Sequence, residues 1–240
     1  NQNIILTPWG DDIKINKKNF LKKFFLKIIF KKSKAIITDS KEIKKLIISI
    51  FGNIESTFYF INFGVDTKLF FKQKYDFILE KKLNLQNYRN HFKIISLRNH
   101  EKIYDIKTLI YSIKKLYNYN KKIKCLIYGS GSETKNLKKL TYDLELENII
   151  IFKGRYKQEE LPFIFSLMDC YVSTSLSDGG LSSSTAEAMS CEVVAISSNN
   201  SDNNLWIEHE KSGFLFENSN VNELFMILKS INNFDLAEIF

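Results

Sequence analysis

The chain has 240 residues, 44% of them hydrophobic, with 20 Phe and 11 Tyr, which is enough for a packed core in one large domain or parts of two and excludes a disordered chain. The net charge of +8 would ordinarily point to nucleic acid or an anionic surface, yet Arg occurs only at Arg89, Arg98 and Arg155. A general Lys, Asn and Ile bias accounts for much of that charge, so no nucleic-acid partner is expected. Cys125, Cys170 and Cys191 sit unpaired in apolar runs, as reduced, buried thiols of a cytoplasmic protein do. No run reaches the roughly 18 to 20 apolar residues of a membrane span, and no signal-peptide pattern opens the chain. The reading is a soluble or peripheral protein.

In chain order, short apolar runs rich in Ile, Val and Phe alternate with amphipathic stretches, the pattern of an α/β fold. The first residue is Asn1, and NIILT at residues 3–7 already reads as a strand interior, so the sequence reads as cut from a longer one. Strands are predicted at residues 4–6, 35–38, 58–61, 93–97, 124–128, 148–152, 170–173, 193–196 and 213–216. Helices are predicted at 17–32, 41–51, 106–117, 133–144, 158–166, 184–190, 204–208 and 222–231. That spacing suits βαβ crossovers feeding parallel strands. The polar, weakly periodic stretch at residues 66–90 interrupts the rhythm. It reads as an interdomain connection, or else as a surface excursion within one domain.

The segment SLSDGGLSSSTAEAMSCEVVAI, residues 175–196, concentrates the chemistry. Ligands of open parallel sheets bind outside the carboxyl ends of strands, where this loop falls. Glycines let a backbone approach a ligand, and amides at a helix start favour phosphate. A carboxylate such as Glu187 can accept two charge-assisted hydrogen bonds from a vicinal diol like that of ribose. Taken alone, the loop also fits a plainer reading: Asp178 as a helix cap and Glu187 as a solvated surface residue.

The pattern SxSDGGxxxSxxEAMxC resembles the acidic signature of family-4 retaining glycosyltransferases, whose C-terminal domain holds a nucleotide-sugar donor in a GT-B fold. TDSKEIKKLI, INFGVDTKLF, FKIISLRNHEKIYDIKTLI, CLIYGSGSETKNLKKL, NIIIFKGRYKQEELPFIFSLMDCYVSTS and SDNNLWIEHEKSGFLF resemble further segments of that family in its order. The resemblance implies two Rossmann-like domains with parallel sheets: a partial acceptor-side domain at 1–66, a connection at 67–90 and a donor-binding domain at 91–240. It places Glu187 on the donor ribose, Asp178 near the transferred sugar, and Gly179, Gly180, Leu181 and Ser182 on sugar and diphosphate. Arg98 and Lys102 match the diphosphate-binding cations, and Gly154 and Arg155 border the base. The implied donor is a UDP- or GDP-linked sugar, with no metal or other cofactor, and the acceptor a glycan or lipid-linked molecule.

The physics of that set is coherent. A departing nucleoside diphosphate gains negative charge, so fixed cations and amides aimed at it lower the barrier. The sequence has no Asp-x-Asp pair, and His91, His100 and His209 are scattered. Departures from the family pattern are equally specific. Eight residues separate Asp178 from Glu187 where the family has seven after a Glu. Glu192 and Val194 stand where Gly and Pro are common. Trp9 stands where many members have a His, so no catalytic His is assigned, and Asp11 and Asp12 in that loop either face a ligand or cap a helix.

Two other stretches admit paired readings. GSGS after CLIY lacks the third glycine of a dinucleotide fingerprint, because Thr134 fills its place, so Gly129 and Gly131 are expected to permit a tight turn. In residues 17–34, Phe20, Leu21, Phe24, Phe25, Ile28 and Ile29 share one helical face, expected to be core, while Leu26 and Phe30 project among lysines. Such a helix either docks on an anionic membrane surface or is an ordinary surface helix. The leading expectation is a metal-independent glycosyltransferase. Its rivals are a catalytically silent nucleotide-sugar binding lobe and a sugar epimerase or phosphorylase of the same fold.

Overall fold

The structure, a computed structural model, describes residues 4–8, 13, 20–62, 64–178, 180, 182–200 and 202–233. The chain divides into two compact units, residues 1–64 with 178–182, and residues 65–177 with 183–240.

The first unit holds strand β1 (Ile5–Leu6), helix α1 (Phe20–Lys32), strand β2 (Ala35–Thr38), helix α2 (Lys41–Phe51) and strand β3 (Thr57–Phe60). The strands form a parallel sheet in the order β1-β2-β3, with Ala35 opposite both Ile5 and Thr57. Ser40 starts α2 by accepting the Ile43 amide at 3.2 Å, and Gly52 ends it with φ +81°, its amide donating to the Ile48 carbonyl. Ile43, Ile47 and Phe51 of α2 pack with Ile13, Phe30, Ile36 and Ile54.

Helix α1 reverses the expected face. Phe30 is buried against Phe51, their rings 5.1 Å apart, and Leu26 joins the same core. Leu21, Phe24, Phe25, Ile28 and Ile29 are 37–67% exposed. A sheet of three strands accepts the narrow i, i+4 ridge of Leu26 and Phe30, and the broader stripe is turned away from it. The predicted helical residues 17–19 lie outside the described residues.

The second unit begins with helix α3 (Phe77–Lys82) and continues through strand β4 (Phe92–Ser96), helix α4 (Ile106–Tyr119), strand β5 (Ile123–Tyr128), helix α5 (Thr134–Asp143), strand β6 (Ile150–Gly154), helix α6 (Leu161–Phe165) and strand β7 (Cys170–Ser173). Helix α7 (Ser183–Ser190), strands β8 (Val194–Ser198) and β9 (Phe214–Phe216), and helix α8 (Val221–Asn233) complete it. The six strands are parallel in the order β6-β5-β4-β7-β8-β9. Alternate residues feed two cores, as the strand period of two requires. Ile94, Cys125, Ile127, Cys170, Val172 and Ile196 face α4 and α8. Ile95, Leu126, Tyr171 and Ala195 face α6, α7 and the segment before β4.

That segment sends Phe70, Leu79, Leu83 and Leu85 into the second core. Asp76 caps α3 by accepting the Leu79 amide at 2.9 Å. Two predicted helices shrink. Residues 158–166 divide into a 3-10 turn, Gln158–Glu160, and the five-residue α6 with Pro162 in its first turn. Residues 204–208 give only the 3-10 turn Asn203–Leu205. The three cysteines are buried free thiols, and burial pushes the Cys191 thiol up to about 11.

Two left-handed residues have opposite significance. Gly129, at φ +112°, lies where a Cβ would stand 2.3 Å from the Arg98 carbonyl oxygen, so the loops after β4 and β5 touch only because it has no side chain. Glu192, at φ +58°, stands two residues past the end of α7. Its amide donates to Met189 and the Val193 amide to Ala188, both at 3.0 Å, the helix-terminating motif that favours glycine. Glu192 also pairs with Lys72 at 2.8 Å, with both side chains mostly exposed, a contact worth a few tenths of a kcal/mol. Chemical denaturation should therefore show opposite signs: Gly129→Ala loses about 2 kcal/mol or more, whereas Glu192→Gly gains about 0.5 kcal/mol.

Candidate active site

The larger sheet grows one way from β4 through β5 to β6 and the other way from β7 through β8 to β9. The β4/β7 boundary is thus a point of strand-order reversal, where loops leaving the carboxyl ends diverge and open a crevice. The chain after β4 carries Arg98 to Lys102, and it is tied to the chain after β7. Thr174 Oγ1 donates to the Tyr104 carbonyl at 2.9 Å, and the Leu176 amide donates to the Ile103 carbonyl at 2.7 Å. From the side of β8, Asn200 Nδ2 donates to the Ser175 carbonyl at 2.6 Å. Asn203 Nδ2 donates to the Ser198 carbonyl at 2.9 Å and to Ser197 Oγ at 3.1 Å.

Helix α7 supplies the counterpart. Ser184, Thr185, Glu187 and Ala188 are its buried residues, and Ser184 and Glu187, three apart, share a face. The Ser184 hydroxyl is 2.8 Å from the hydroxyl of the fully buried Tyr171 and 3.5 Å from Arg98 Nη1. The Arg98 guanidinium lies over the Tyr104 ring, 4.5 Å from its centroid. Arg98 is thereby fixed from the sheet, through Tyr171 and Ser184, and from its own loop, through Tyr104.

Glu187 is only 9% exposed, which removes the solvated reading. Burial holds its carboxyl above the usual carboxylate range, partly offset by a hydrogen bond with the Gln158 side chain. Tyr156 senses both charged residues. Burial raises its hydroxyl, Glu187 raises it further, and Arg98 lowers it. The acid and the cation, 89 residues apart by number, therefore act on one phenol.

Tyr156 also lines a cavity of about 360 Å³ with Leu97, Asn99, Glu101, Gly129, Ser130 and Arg155. This places the cavity over the carboxyl ends of β4, β5 and β6. Gly154 adjoins it at φ +71°, and its carbonyl accepts the Gly129 amide at 2.7 Å. Gly131 serves close approach as well, since a Cβ there would stand 2.5 Å from the His100 carbonyl oxygen. Lys102 is exposed in the 3-10 turn Lys102–Tyr104.

Of the residues singled out in the sequence, Arg98, Lys102, Gly154, Arg155 and Glu187 belong to the larger unit, and Asp178, Gly180 and Ser182 to the smaller. A Cβ on Gly180 would lie 3.2 Å from the Asp39 carbonyl oxygen. Gly179, Leu181, Trp9, Asp11 and Asp12 lie outside the described residues. Among the described residues no three His, Cys, Asp or Glu side chains gather where a metal ion could be held. Sequence reasoning did not single out Tyr104, Tyr156, Gln158, Tyr171, Ser184, Asn200 or Asn203. RYKQEE, directly after Gly154, was the available signal for Tyr156 and Gln158.

Comparison with known proteins agrees with this architecture. The chain is 27% identical over 223 residues to a protein of Methanocaldococcus jannaschii named "Uncharacterized glycosyltransferase MJ1069", covering 92% of this chain and 55% of that one. It thus spans about half the length of that relative. It superposes with a TM-score of 0.83 and 18% identity on Anabaena HepE crystallised with UDP-glucose, covering 97% of this chain and 63% of that one. With sucrose-phosphate synthase of Thermosynechococcus elongatus the TM-score is 0.80 at 17% identity, covering 97% and 59%. These likenesses give the fold, that of GT-B glycosyltransferases. Residues 78–232 match the family described as "Glycosyl transferases group 1", and on a match of that extent the chain belongs to the group 1 glycosyl transferases.

Proposed function

We propose that this protein is a retaining glycosyltransferase that moves a sugar from a UDP- or GDP-linked donor to a glycan or lipid-linked acceptor. The observation that carries the reading is the buried Glu187 carboxylate, which shares Tyr156 with Arg98 beside the cavity at the strand ends. Relatives of the same fold hold matching molecules: HepE was crystallised with UDP-glucose, and Staphylococcus aureus TarM with UDP.

On this reading residues 91–240 hold the donor, residues 1–66 form the acceptor side, and 67–90 connect them. Glu187 accepts both hydroxyls of the donor ribose, and the backbone at Gly154 and Arg155 borders the base. Arg98 and Lys102 meet the diphosphate, and Asp178 with Gly179, Gly180, Leu181 and Ser182 meets the sugar and its phosphate. An acceptor oxygen forms the new bond to the anomeric carbon as the bond from that carbon to the diphosphate breaks. The acceptor proton passes to the departing phosphate on the same face. Charge grows on the leaving group, so cations already in place stabilise the transition state more than the ground state.

The partner surface is assigned to α1. Its sequence FLKKFFLKIIFKK has five lysines and no acid, and Leu21, Phe24, Phe25, Ile28 and Ile29 are exposed beside Lys22, Lys27, Lys31 and Lys32. An apolar stripe within lysines is complementary to an anionic lipid surface. The protein should float with phosphatidylglycerol vesicles but not with phosphatidylcholine vesicles, and Lys22→Glu with Lys27→Glu should abolish flotation. No flotation, or a concentration-dependent dimer that Phe24→Ser disrupts, removes the membrane partner.

Calorimetric titration of UDP and GDP tests the donor site. One nucleotide should bind, and Glu187→Gln should weaken it about 10- to 100-fold, the loss of a charge-assisted hydrogen bond. The same substitution should stabilise the fold at neutral pH. A carboxyl whose pKa is raised by folding favours the native state at low pH and destabilises it as pH rises through that pKa, so the gap between variant and native protein should close on acidification. Binding of neither nucleotide defeats the donor reading. Binding without transfer to any acceptor favours the silent lobe.

A further inference from the structure

The fold places a phenol hydroxyl in the middle of the larger sheet, where packing has no need of it. Tyr171 lies on β7 between Ile95 of β4 and Ala195 of β8. It is fully buried, and its ring makes a T-shaped contact with Phe165, 6.3 Å between centroids. A phenylalanine would fill the same space without withdrawing a hydroxyl from water, which costs about 1 to 3 kcal/mol when the group is left unpaired. Among the described residues that hydroxyl has one hydrogen-bond partner, Ser184 Oγ of α7, at 2.8 Å. The same serine oxygen accepts Arg98 Nη1 at 3.5 Å.

The direction of these bonds follows from their chemistry. The Tyr171 proton has Ser184 as its acceptor, and a guanidinium only donates. Ser184 Oγ therefore receives both protons on its lone pairs, and its own proton is turned away from Arg98. The contact with Arg98 is long, so it depends on which way the serine hydroxyl points. Without the phenol, that hydroxyl can turn its proton toward the guanidinium, and the contact is lost. A second support reaches the same cation from the same strand. Thr174, three residues beyond Tyr171, donates to the Tyr104 carbonyl at 2.9 Å, and the Arg98 guanidinium stands 4.5 Å from the centroid of the Tyr104 ring. The edge and the face of Arg98 are thus both referred to the carboxyl end of β7.

We propose that Tyr171 is a positioning residue for donor binding: its hydroxyl orients that of Ser184, and Ser184 so oriented holds the edge of the Arg98 guanidinium in the direction from which it meets the donor diphosphate. The proposal rests on the donor reading above and adds to it a residue inside the sheet that acts without touching the donor. Because Tyr171 acts through Arg98, its effect is confined to the diphosphate. The base and ribose contacts assigned to Gly154, Arg155 and Glu187 do not depend on its hydroxyl.

The test compares the nucleotide that binds, UDP or GDP, with its nucleoside in the native, Tyr171→Phe and Ser184→Ala proteins. Calorimetry reads the diphosphate, NMR shift titration reads the nucleoside, and circular dichroism checks folding. Tyr171→Phe should weaken the diphosphate about 3- to 10-fold, the worth of one oriented hydrogen bond, and leave nucleoside affinity unchanged. Ser184→Ala, which favours the helix, should cause a similar loss, and adding Tyr171→Phe to it should cost nothing more, because the two residues act in series. A folded Tyr171→Phe protein that binds the diphosphate as tightly as the native chain, an equal loss for nucleoside and diphosphate, or additive losses in the double variant overturns the proposal. If Tyr171→Phe does not fold, Ser184→Ala decides: unchanged diphosphate affinity overturns the proposal, and a loss confined to the diphosphate supports it. Absence of UDP and GDP binding by the native protein defeats the donor reading and this proposal together, whereas native binding with unweakened variants defeats this proposal alone.

Discussion

The reversal of strand order between β4 and β7 is the constraint on which the candidate site depends. Two parallel strands side by side whose following chains depart in opposite directions leave their carboxyl ends uncovered. The fold closes part of that opening with hydrogen bonds from Thr174 and Leu176 to the Tyr104 and Ile103 carbonyls. What stays open, over the carboxyl ends of β4, β5 and β6, is lined by Asn99 and Glu101 of one loop, Gly129 and Ser130 of the next, and Arg155 and Tyr156. The small residues of SSTAEAMS bring α7 close to the sheet, near enough for the Ser184 hydroxyl to reach Tyr171 on β7.

Two buried carboxylates in the larger unit show how a structural acid differs from one kept for another purpose. Glu80 is held by Arg89 through Nε and Nη2 at 3.0 and 2.8 Å, and that pairing takes its carboxyl below the usual range. It contributes stability present at neutral pH and lost as pH falls through the lowered pKa. Glu187 is shifted the other way, by burial, with the Gln158 side chain as its hydrogen-bonding neighbour. A neutral amide compensates a buried charge less than a guanidinium does. A fold that keeps a buried carboxylate at such a cost, near enough to Tyr156 of the cavity wall to raise that phenol, has the signature of a site.

Much of the fold was legible because its strands are apolar runs bounded by polar residues. Ala35–Thr38 and Cys170–Ser173 have the predicted limits. Helix α3 was not legible, since among Phe70, Leu79, Leu83 and Leu85 only Leu79 and Leu83 stand at a helical spacing, too short a pattern to read in an otherwise polar stretch. The face of α1 misled for a physical reason: periodicity reports which residues lie together, and the narrower ridge is the one the small sheet accepts. At the candidate site, Glu187 and Arg98 stood out through their motifs. Tyr156, Ser184 and Tyr171 did not, because their roles arise from contacts between distant parts of the chain. Asn200 and Asn203, which fix the chain around β8, were hidden by the abundance of asparagine.

The distribution of glycine connects these points. The chain has only nine glycines, and Gly129, Gly131, Gly154, Gly179 and Gly180 fall in the segments that follow β5 and β7 or at the end of β6. At Gly129 and Gly131 the reason is contact, because any Cβ would collide with the loop carrying Arg98 and His100. At the end of α7 the backbone takes the left-handed turn that glycine favours, yet Glu192 occupies it. That turn costs a side chain some strain but meets no such collision with the Arg98 loop. A sequence biased toward Lys, Asn and Ile has therefore kept glycine where the position of Arg98 depends on it, and has done without it where only helix termination is at stake.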